Sequence, residues 1–252
     1  METKMNVAEI FYSIQGEGST VGKPSVFLRL TGCNLMCGGR GTEKDGKLHN
    51  GASWRCDTIE VWKQKNAYSI GDLADQLHKD YVDKFMKGAQ LIITGGEPML
   101  QQNQFPYLIS DLRSKVKGRI RVEVETNGTI FPNLPTEGVV DQFNVSPKLS
   151  NSGMLKERRI KETELDYFAK LAWDDKAIFK FVVTDKSDIV ELFDDFIDPF
   201  GIPHHKIWLM PGCSTLQQFQ QVAPKVAKFC KRFGFNFSSR LQINLWNQTT
   251  GV

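Results

Sequence analysis

An α/β fold with a mainly parallel sheet is what this sequence predicts. Short apolar runs alternate with helical patterns along most of the chain, the order that parallel sheets with covering helices require. Polar signatures recur where those runs end: TGC after the second, then TGGEP, ETNGT, SPK and MPG. In such sheets functional groups collect at the carboxyl ends of the strands, where loops are free to vary. The 252 residues contain no internal repeat, low-complexity tract or interdomain linker, so residues 1–252 read as a single domain.

VAEIFYSI (7–14) and SVFLRLTG (25–32) read as strands. SIGDLADQLHKDYVDKF (69–85) has helical spacing, with Ser69 placed to cap its first turn. AQLIITGGEP (89–98) is a buried strand closing on a glycine turn, and QFPYLISDLRSKV (104–116) returns as a helix. RIRVEVETNG (119–128) alternates and then turns, and VVDQFNVSPK (139–148) is the next strand. A helix over about 162–173 precedes strand AIFKFVVTD (177–185), and a helix over 186–196 precedes strand KIWLMPG (206–212). A long helix over 214–233 precedes RLQINLW (240–246), read as the last strand. Residues 38–55 break the pattern: glycine-rich and polar, they form an inserted loop.

A hydrophobic fraction of 40% and a charged fraction of 24% are ordinary for a globular domain. The length suffices for one substantial core. A formal net charge of +3 with scattered Lys and Arg leaves no electrostatic footprint for nucleic acid. The basic LKERRIK (155–161) reads as a solvated loop or helix start. No run approaches a membrane span, and the N-terminus lacks the pattern of a secretory signal, so a cytoplasmic location is expected. The N-x-S/T triplets at Asn127, Asn144, Asn236 and Asn247 are then chance matches. GSTVGKPS (18–25) approximates a phosphate-binding loop, but it is one residue short between its glycines and has Pro24 behind the lysine.

Five cysteines are an odd number, and a reducing compartment disfavours disulfides. A cluster of cysteines then reads first as metal-binding or catalytic. Cys33, Cys37 and Cys56 lie among Gly, Arg, Asn and Asp, whereas Cys213 and Cys230 stand alone and read as buried structural thiols. Thiolates gathered on a loop suit soft metals. Zinc would want a fourth ligand, for which His49 is available, although the spacings fit poorly. A [4Fe–4S] cluster usually takes four cysteines. Three would leave one iron open to a small molecule.

CNLMC after the second strand and GGEP at the next strand-turn resemble the radical S-adenosylmethionine (SAM) enzymes, whose usual pattern is C-x3-C-x2-C. Cys33 and Cys37 match its first two positions and CDT (56–58) matches its end, with an insertion between. Ser53, three residues before Cys56, cannot ligate as a cysteine would. Cys37 is therefore taken as the second ligand, with residues 38–55 returning Cys56 to the cluster at a closure entropy that grows slowly with length. FYSIQGEG (11–18), FLRLTGCNL (27–35), CDT, GGEP, ETNGT and RLQINLW jointly resemble the 7-carboxy-7-deazaguanine synthase family, in order and across nearly the whole chain.

That resemblance implies an incomplete, TIM-like βα barrel of the radical SAM type, usually homodimeric. It implies a lyase that converts 6-carboxy-5,6,7,8-tetrahydropterin to 7-carboxy-7-deazaguanine with loss of ammonia, in 7-deazapurine (queuosine-type) biosynthesis. The implied cofactors are a [4Fe–4S] cluster on Cys33, Cys37 and Cys56, SAM chelated at the open iron, and Mg²⁺ on substrate oxygens and Thr58. An electron donor such as flavodoxin is implied as well. For SAM, the turn of Gly95, Gly96 and Glu97 would accept from the methionyl amine, and Glu125 and Thr126 would take the ribose hydroxyls. Ser146 and Lys148 would hold the carboxylate end, and Pro211 would line the adenine.

Arg29 interrupts the apolar VFLRL, and a charge there is either paired or ligand-facing. Its fork suits a substrate carboxylate. Glu17 stands between glycines that let the backbone approach a ligand closely. It could accept the two N–H groups of a 2-aminopyrimidinone edge, with Gln15 reading the adjacent carbonyl. Gly95 and Gln242 complete the expected substrate contacts, Gln242 standing where many family members carry His. Two other functions stay open: a radical SAM activase acting on a partner protein, and a non-catalytic zinc-binding module.

Overall fold

The structure, a computed structural model, describes residues 4–43, 45–64 and 66–247. A hairpin of β1 (Lys4–Ile14) and β2 (Pro24–Leu30) leads through the inserted loop to β3 (Asn66–Ser69), which pairs antiparallel with β1. Strand and helix then alternate: α1 (Ile70–Met86), β4 (Gln90–Gly95), α2 (Phe105–Val116), β5 (Val122–Thr126), α3 (Leu134–Val139) and β6 (Gln142–Val145). The second half follows with α4 (Lys156–Arg159), α5 (Glu162–Trp173), β7 (Ala177–Val183), α6 (Lys186–Leu192), α7 (Asp198–Phe200) and β8 (Ile207–Pro211). The chain closes on α8 (Leu216–Phe233), β9 (Asn236–Phe237) and α9 (Leu241–Trp246).

The sheet order is β3-β1-β2-β4-β5-β6-β7-β8-β9. Every pair from β2 to β9 is parallel. No pairing joins β3 to β9 among the described residues, so the sheet is an open, incomplete barrel.

Period-two alternation divides this sheet into two unlike faces. Val122 and Val124 of β5, Phe143 and Val145 of β6, and Phe179 and Phe181 of β7 all belong to the apolar core. The helices cover that face. Leu73, Ala74 and Leu77 of α1 and Leu108, Ile109 and Leu112 of α2 supply its other half at helical spacing. The residues between them turn inward and are largely polar: Ser25, Gln90, Glu123, Gln142, Asn144 and Lys180 are all buried. A barrel interior lined this way is not a second core. It is a place for ligands and for the hydrogen bonds that hold the walls.

Most expected elements are present, with α5 at 162–173 as read. Ser69 caps α1, its hydroxyl accepting from Asp72 N–H at 3.1 Å. Four elements were not read from the sequence: β3, α3, α7 and β9. One was misread. Residues 240–246, expected as the last strand, form α9 instead. The two-residue β9 already completes the sheet edge, and the chain then turns back so that Leu241 N–H donates to the Gly16 carbonyl at 3.0 Å. LKERRIK proves a helix start, with Arg159 buried rather than solvated. Its guanidinium pairs with Glu191 at 2.7 Å and donates to the Lys148 carbonyl at 3.1 Å.

Phe105 is fully buried at the start of α2. Phe105→Ala should lower unfolding stability by about 3–5 kcal/mol in chemical denaturation, the usual cost of an emptied aromatic site.

Candidate active site

The inserted loop is closed at its base. Cys56 N–H donates to the Cys37 carbonyl at 3.1 Å, bringing two sequence-distant thiols to one place. Gly38 makes the crossing possible: it has φ +73°, and a Cβ there would lie 2.5 Å from Arg55 Cα. The loop is also tied to the turn after β6. Gly38 N–H donates to Ser152 O at 2.8 Å, Ser53 N–H to Asn151 O at 2.9 Å, and the Trp54 indole to Asn151 Oδ1 at 2.8 Å. Ser53 thus faces Asn151, as a non-ligand should.

Cys33, Cys37 and Cys56 all line one cavity of about 720 Å³ at the carboxyl end of the sheet. Burial pushes the Cys33 thiol up to about 12 and the Cys37 thiol up to about 11. Such thiols become thiolates when a metal supplies the compensating charge. Among the described residues no three His, Cys, Asp or Glu side chains are close enough to hold a single metal ion. His49, the fourth ligand of the zinc alternative, is exposed, 3.6 Å from Glu43 and outside the cavity. With His49 outside the cavity, the three thiols lack the fourth ligand expected of a structural zinc site. Cys213 is buried, as expected, but also borders this cavity; Cys230 does not.

GGEP presses directly against the cysteine turn. A Cβ on Gly96 would lie 2.2 Å from the Gly32 carbonyl and 2.6 Å from Cys33 Cβ, and one on Gly95 would lie 2.3 Å from the Leu30 carbonyl. Both glycines reach the cavity, but Glu97 does not. Its carboxylate turns inward and accepts from Met99 N–H at 3.0 Å, Thr126 Oγ1 at 2.8 Å and Asn127 N–H at 2.6 Å. Burial lifts it to about 7 against the pull of these donors. The Glu97 side chain therefore braces ETNGT against GGEP. Pro211 is likewise buried outside the cavity, which Met210 and Gly212 border on either side of it.

Ser146 and Lys148 sit together on the wall after β6, Lys148 Nζ donating to Ser146 Oγ at 3.0 Å. The ammonium lies 5.9 Å from the Trp54 ring centroid, so the loop roofs this side. Thr58 also faces the cavity, its hydroxyl 3.4 Å from Cys56 Sγ.

The QGEG turn closes the barrel from the opposite end. Its continuation is held by residues at the starts of three strands: Thr20 Oγ1 donates to Glu123 at 3.0 Å, Gln142 to Ser19 at 2.8 Å and Gln90 to Thr20 at 3.2 Å. This places Gln15 and Glu17 on the cavity floor. Gln242 reaches them from α9, donating to Glu17 Oε1 at 2.8 Å, and Gly16 has no room for a Cβ, which would lie 1.9 Å from Gln242 Oε1.

Two charged residues here were missed from the sequence. Lys180 bridges Glu125 at 2.6 Å and Glu17 at 3.2 Å. Arg240 spans Asp57 at 2.7 Å and Glu17 at 3.4 Å. Burial alone would raise the Glu17 carboxyl, but these two cations hold it down to about 2. Burial raises that of Glu125. Lys180 in AIFKFVV interrupts an apolar strand as Arg29 does in VFLRL, and that signal was readable. Arg29 itself lines the cavity. Its Nε donates to Glu9 at 2.7 Å, and its two terminal nitrogens have no hydrogen-bond partner among the described residues.

An open parallel barrel with three thiols at the cysteine turn, and a charged pocket beneath them, defines an enzyme of the radical SAM class. Residues 14–161 match the family described as a 4Fe-4S single cluster domain. The chain is 30% identical over 248 residues to the 7-carboxy-7-deazaguanine synthase of Pyrobaculum aerophilum, covering 98% of this chain and 97% of that one. It is 31% identical over 263 aligned residues to the synthase of Halobacterium salinarum, covering 96% and 90%. Its fold is similar to that of the crystal structure of QueE from Escherichia coli, with TM-score 0.59 at 22% identity over 93% of each chain. The chain belongs to the 7-carboxy-7-deazaguanine synthase family.

The contact between GGEP and the cysteine turn is directly testable. Gly96→Ala should yield protein with much reduced iron and sulfide per chain after anaerobic purification. Gly71→Ala, at a helical site with nothing near the added methyl, should retain both at wild-type levels.

Proposed function

We propose that this chain converts 6-carboxy-5,6,7,8-tetrahydropterin to 7-carboxy-7-deazaguanine with loss of ammonia, in 7-deazapurine (queuosine-type) biosynthesis. One observation supports this most: a single cavity holds three thiols at one end, and elsewhere on its wall an ionised carboxylate and a guanidinium whose terminal nitrogens have no hydrogen-bond partner among the described residues. Cys33, Cys37 and Cys56 would hold a [4Fe–4S] cluster, which together with SAM would supply the radical chemistry. The protein's own part is binding, orientation and exclusion of water.

Arg29 presents its terminal nitrogens to the substrate carboxylate, while Glu9 and the Phe11 ring, 5.7 Å from the guanidinium, hold it in place. Glu17 accepts from the aminopyrimidinone edge. Gly95, Gly96, Ser146 and Lys148 receive the methionyl end of SAM. Thr126 already donates its hydroxyl proton to Glu97, so toward a ribose it acts as an acceptor. Glu125 is more constrained: Oε1 accepts from Gln15 and Asn144, each at 3.0 Å, and Oε2 from Lys180, which leaves Oε2 the freer oxygen. Thr58, which lines the cavity, would share with substrate oxygens a Mg²⁺ ion that keeps several waters. A one-electron donor such as flavodoxin and a homodimeric assembly, both implied by the family resemblance, complete the proposed enzyme.

The activase alternative is disfavoured by how the cavity is closed. The QGEG turn and α9 seal its floor with several close contacts, leaving a pocket sized for a small molecule. Among the described residues no helix is long and apolar enough to cross a membrane.

Anaerobic incubation of reduced protein with SAM, Mg²⁺ and the carboxytetrahydropterin should give the deazapurine by mass analysis. Formation of 5′-deoxyadenosine without it would keep the radical chemistry and discard the substrate. Arg29→Ala should raise KM for the pterin by roughly 10- to 100-fold, the loss of a charge-assisted contact, and leave iron content unchanged. Loss of the cluster in that variant would refute the assignment of Arg29 to the substrate.

A further inference from the structure

Lys180 is 2% exposed on the inward face of β7, between Ile178 and Val182. A buried ammonium needs compensation. Glu125 and Glu17 supply it, and they hold its pKa above the ordinary lysine value against the opposing effect of burial. Charge pairing alone, however, does not require this lysine to border the cavity, and it does.

Counting donors and acceptors shows what remains available. An ammonium has three N–H bonds. Among the described residues Lys180 uses two, to Glu125 Oε2 at 2.6 Å and to Glu17 Oε2 at 3.2 Å. Glu17 has about four lone-pair directions over its two oxygens. Gln242 takes one on Oε1 at 2.8 Å and Lys180 takes one on Oε2. Arg240 Nε, at 3.4 Å, adds charge without a hydrogen bond. Each oxygen of Glu17 can therefore accept once more, and Lys180 can donate once more.

A carboxylate oxygen and an ammonium 3.2 Å apart present an acceptor beside a donor. A cyclic amide carries the complement, an N–H beside a carbonyl. With a 2-amino group next to that N–H, the edge reads donor, donor, acceptor, the order that Glu17 and Lys180 together would meet.

We propose that Lys180 is a specificity-determining residue: it fixes Glu17 for the two N–H groups of the aminopyrimidinone edge and donates its remaining N–H to the adjacent 4-carbonyl. This assignment rests on the pterin reading above. It takes over the carbonyl contact expected of Gln15, whose amide instead donates to Glu125 at 3.0 Å. A ring carrying a 4-amino group would place a donor against the ammonium and be rejected. Selectivity of this kind arises because a buried polar group is left facing its own kind.

The test compares binding of the 4-oxo carboxytetrahydropterin with its 2,4-diamino analogue. Calorimetry is done on cluster-loaded protein with SAM but no reductant, so that nothing turns over. Wild type should prefer the 4-oxo compound by roughly 10- to 100-fold, the range for a hydrogen bond to a charged group. Lys180→Met should weaken the 4-oxo compound by a similar factor and lower the ratio several-fold, leaving only the part of the preference that Glu17 sets through the ring N–H the diamino analogue lacks, with iron content unchanged. Lys180→Arg should restore part of the preference. If Lys180→Met does not fold, Lys180→Gln carries the comparison and should lower the ratio several-fold. Wild type that binds both compounds equally overturns the proposal whatever the variants do, as does a folded Met or Gln variant that keeps the full preference. A wild type that shows the preference but makes no deazapurine would sink the reaction while leaving this recognition standing.

Discussion

One backbone hydrogen bond, from the Cys56 amide to the Cys37 carbonyl, sets the terms for the rest of the site. It closes a glycine-rich, polar loop so that its two ends present thiols to the same cavity. Everything else at that end of the sheet accommodates the closure. Gly38 lets the strands of the loop cross, Gly96 lets GGEP approach Cys33, and the turn at 150–153 anchors the loop through Asn151 and Ser152. Chain length in the insertion is then of little consequence, since closure entropy rises only slowly with it.

The second constraint is charge. The cavity wall joins Glu125, Lys180, Glu17 and Arg240 in a chain of ion pairs, Lys180 buried and the other three half-buried. Isolated, each would be strongly disfavoured. As a network they are mutually compensated, and they hold the QGEG turn, β5, β7 and α9 in fixed relation. Removing any one leaves an uncompensated partner, so recognition and stability are coupled here. The apolar face under the helices supplies the stability that allows an interior this polar. That division of labour follows from period-two alternation alone.

Much of this was legible in the sequence. The alternating elements, the thiol trio, Gln15, Glu17 and Arg29, and the glycine turn were read from residue type and position, and all reach the cavity except Glu97 and Pro211. Glu97 and Pro211 lie outside it for one reason: a motif marks a loop, and neighbouring side chains of a loop point in different directions. Glu97 turned inward because three donors awaited it there. α9 was misread because Arg240 to Leu245 alternate polar and apolar residues, the pattern of a half-buried strand. The spacing of Gln242 and Trp246 on the cavity side, four apart, was the helical sign. Arg240 lacked any such sign, since its partners Asp57 and Glu17 are distant in sequence. Lys180 had one, the same break in an apolar strand that marked Arg29.

The measurement closest to the central claim is the metal content of anaerobically purified protein, with Cys56→Ser beside it. Three thiols round an open-cornered cluster predict about four irons and four acid-labile sulfides per chain, both lost in the variant. Stoichiometric zinc without sulfide, or a cluster that survives without Cys56, would contradict it.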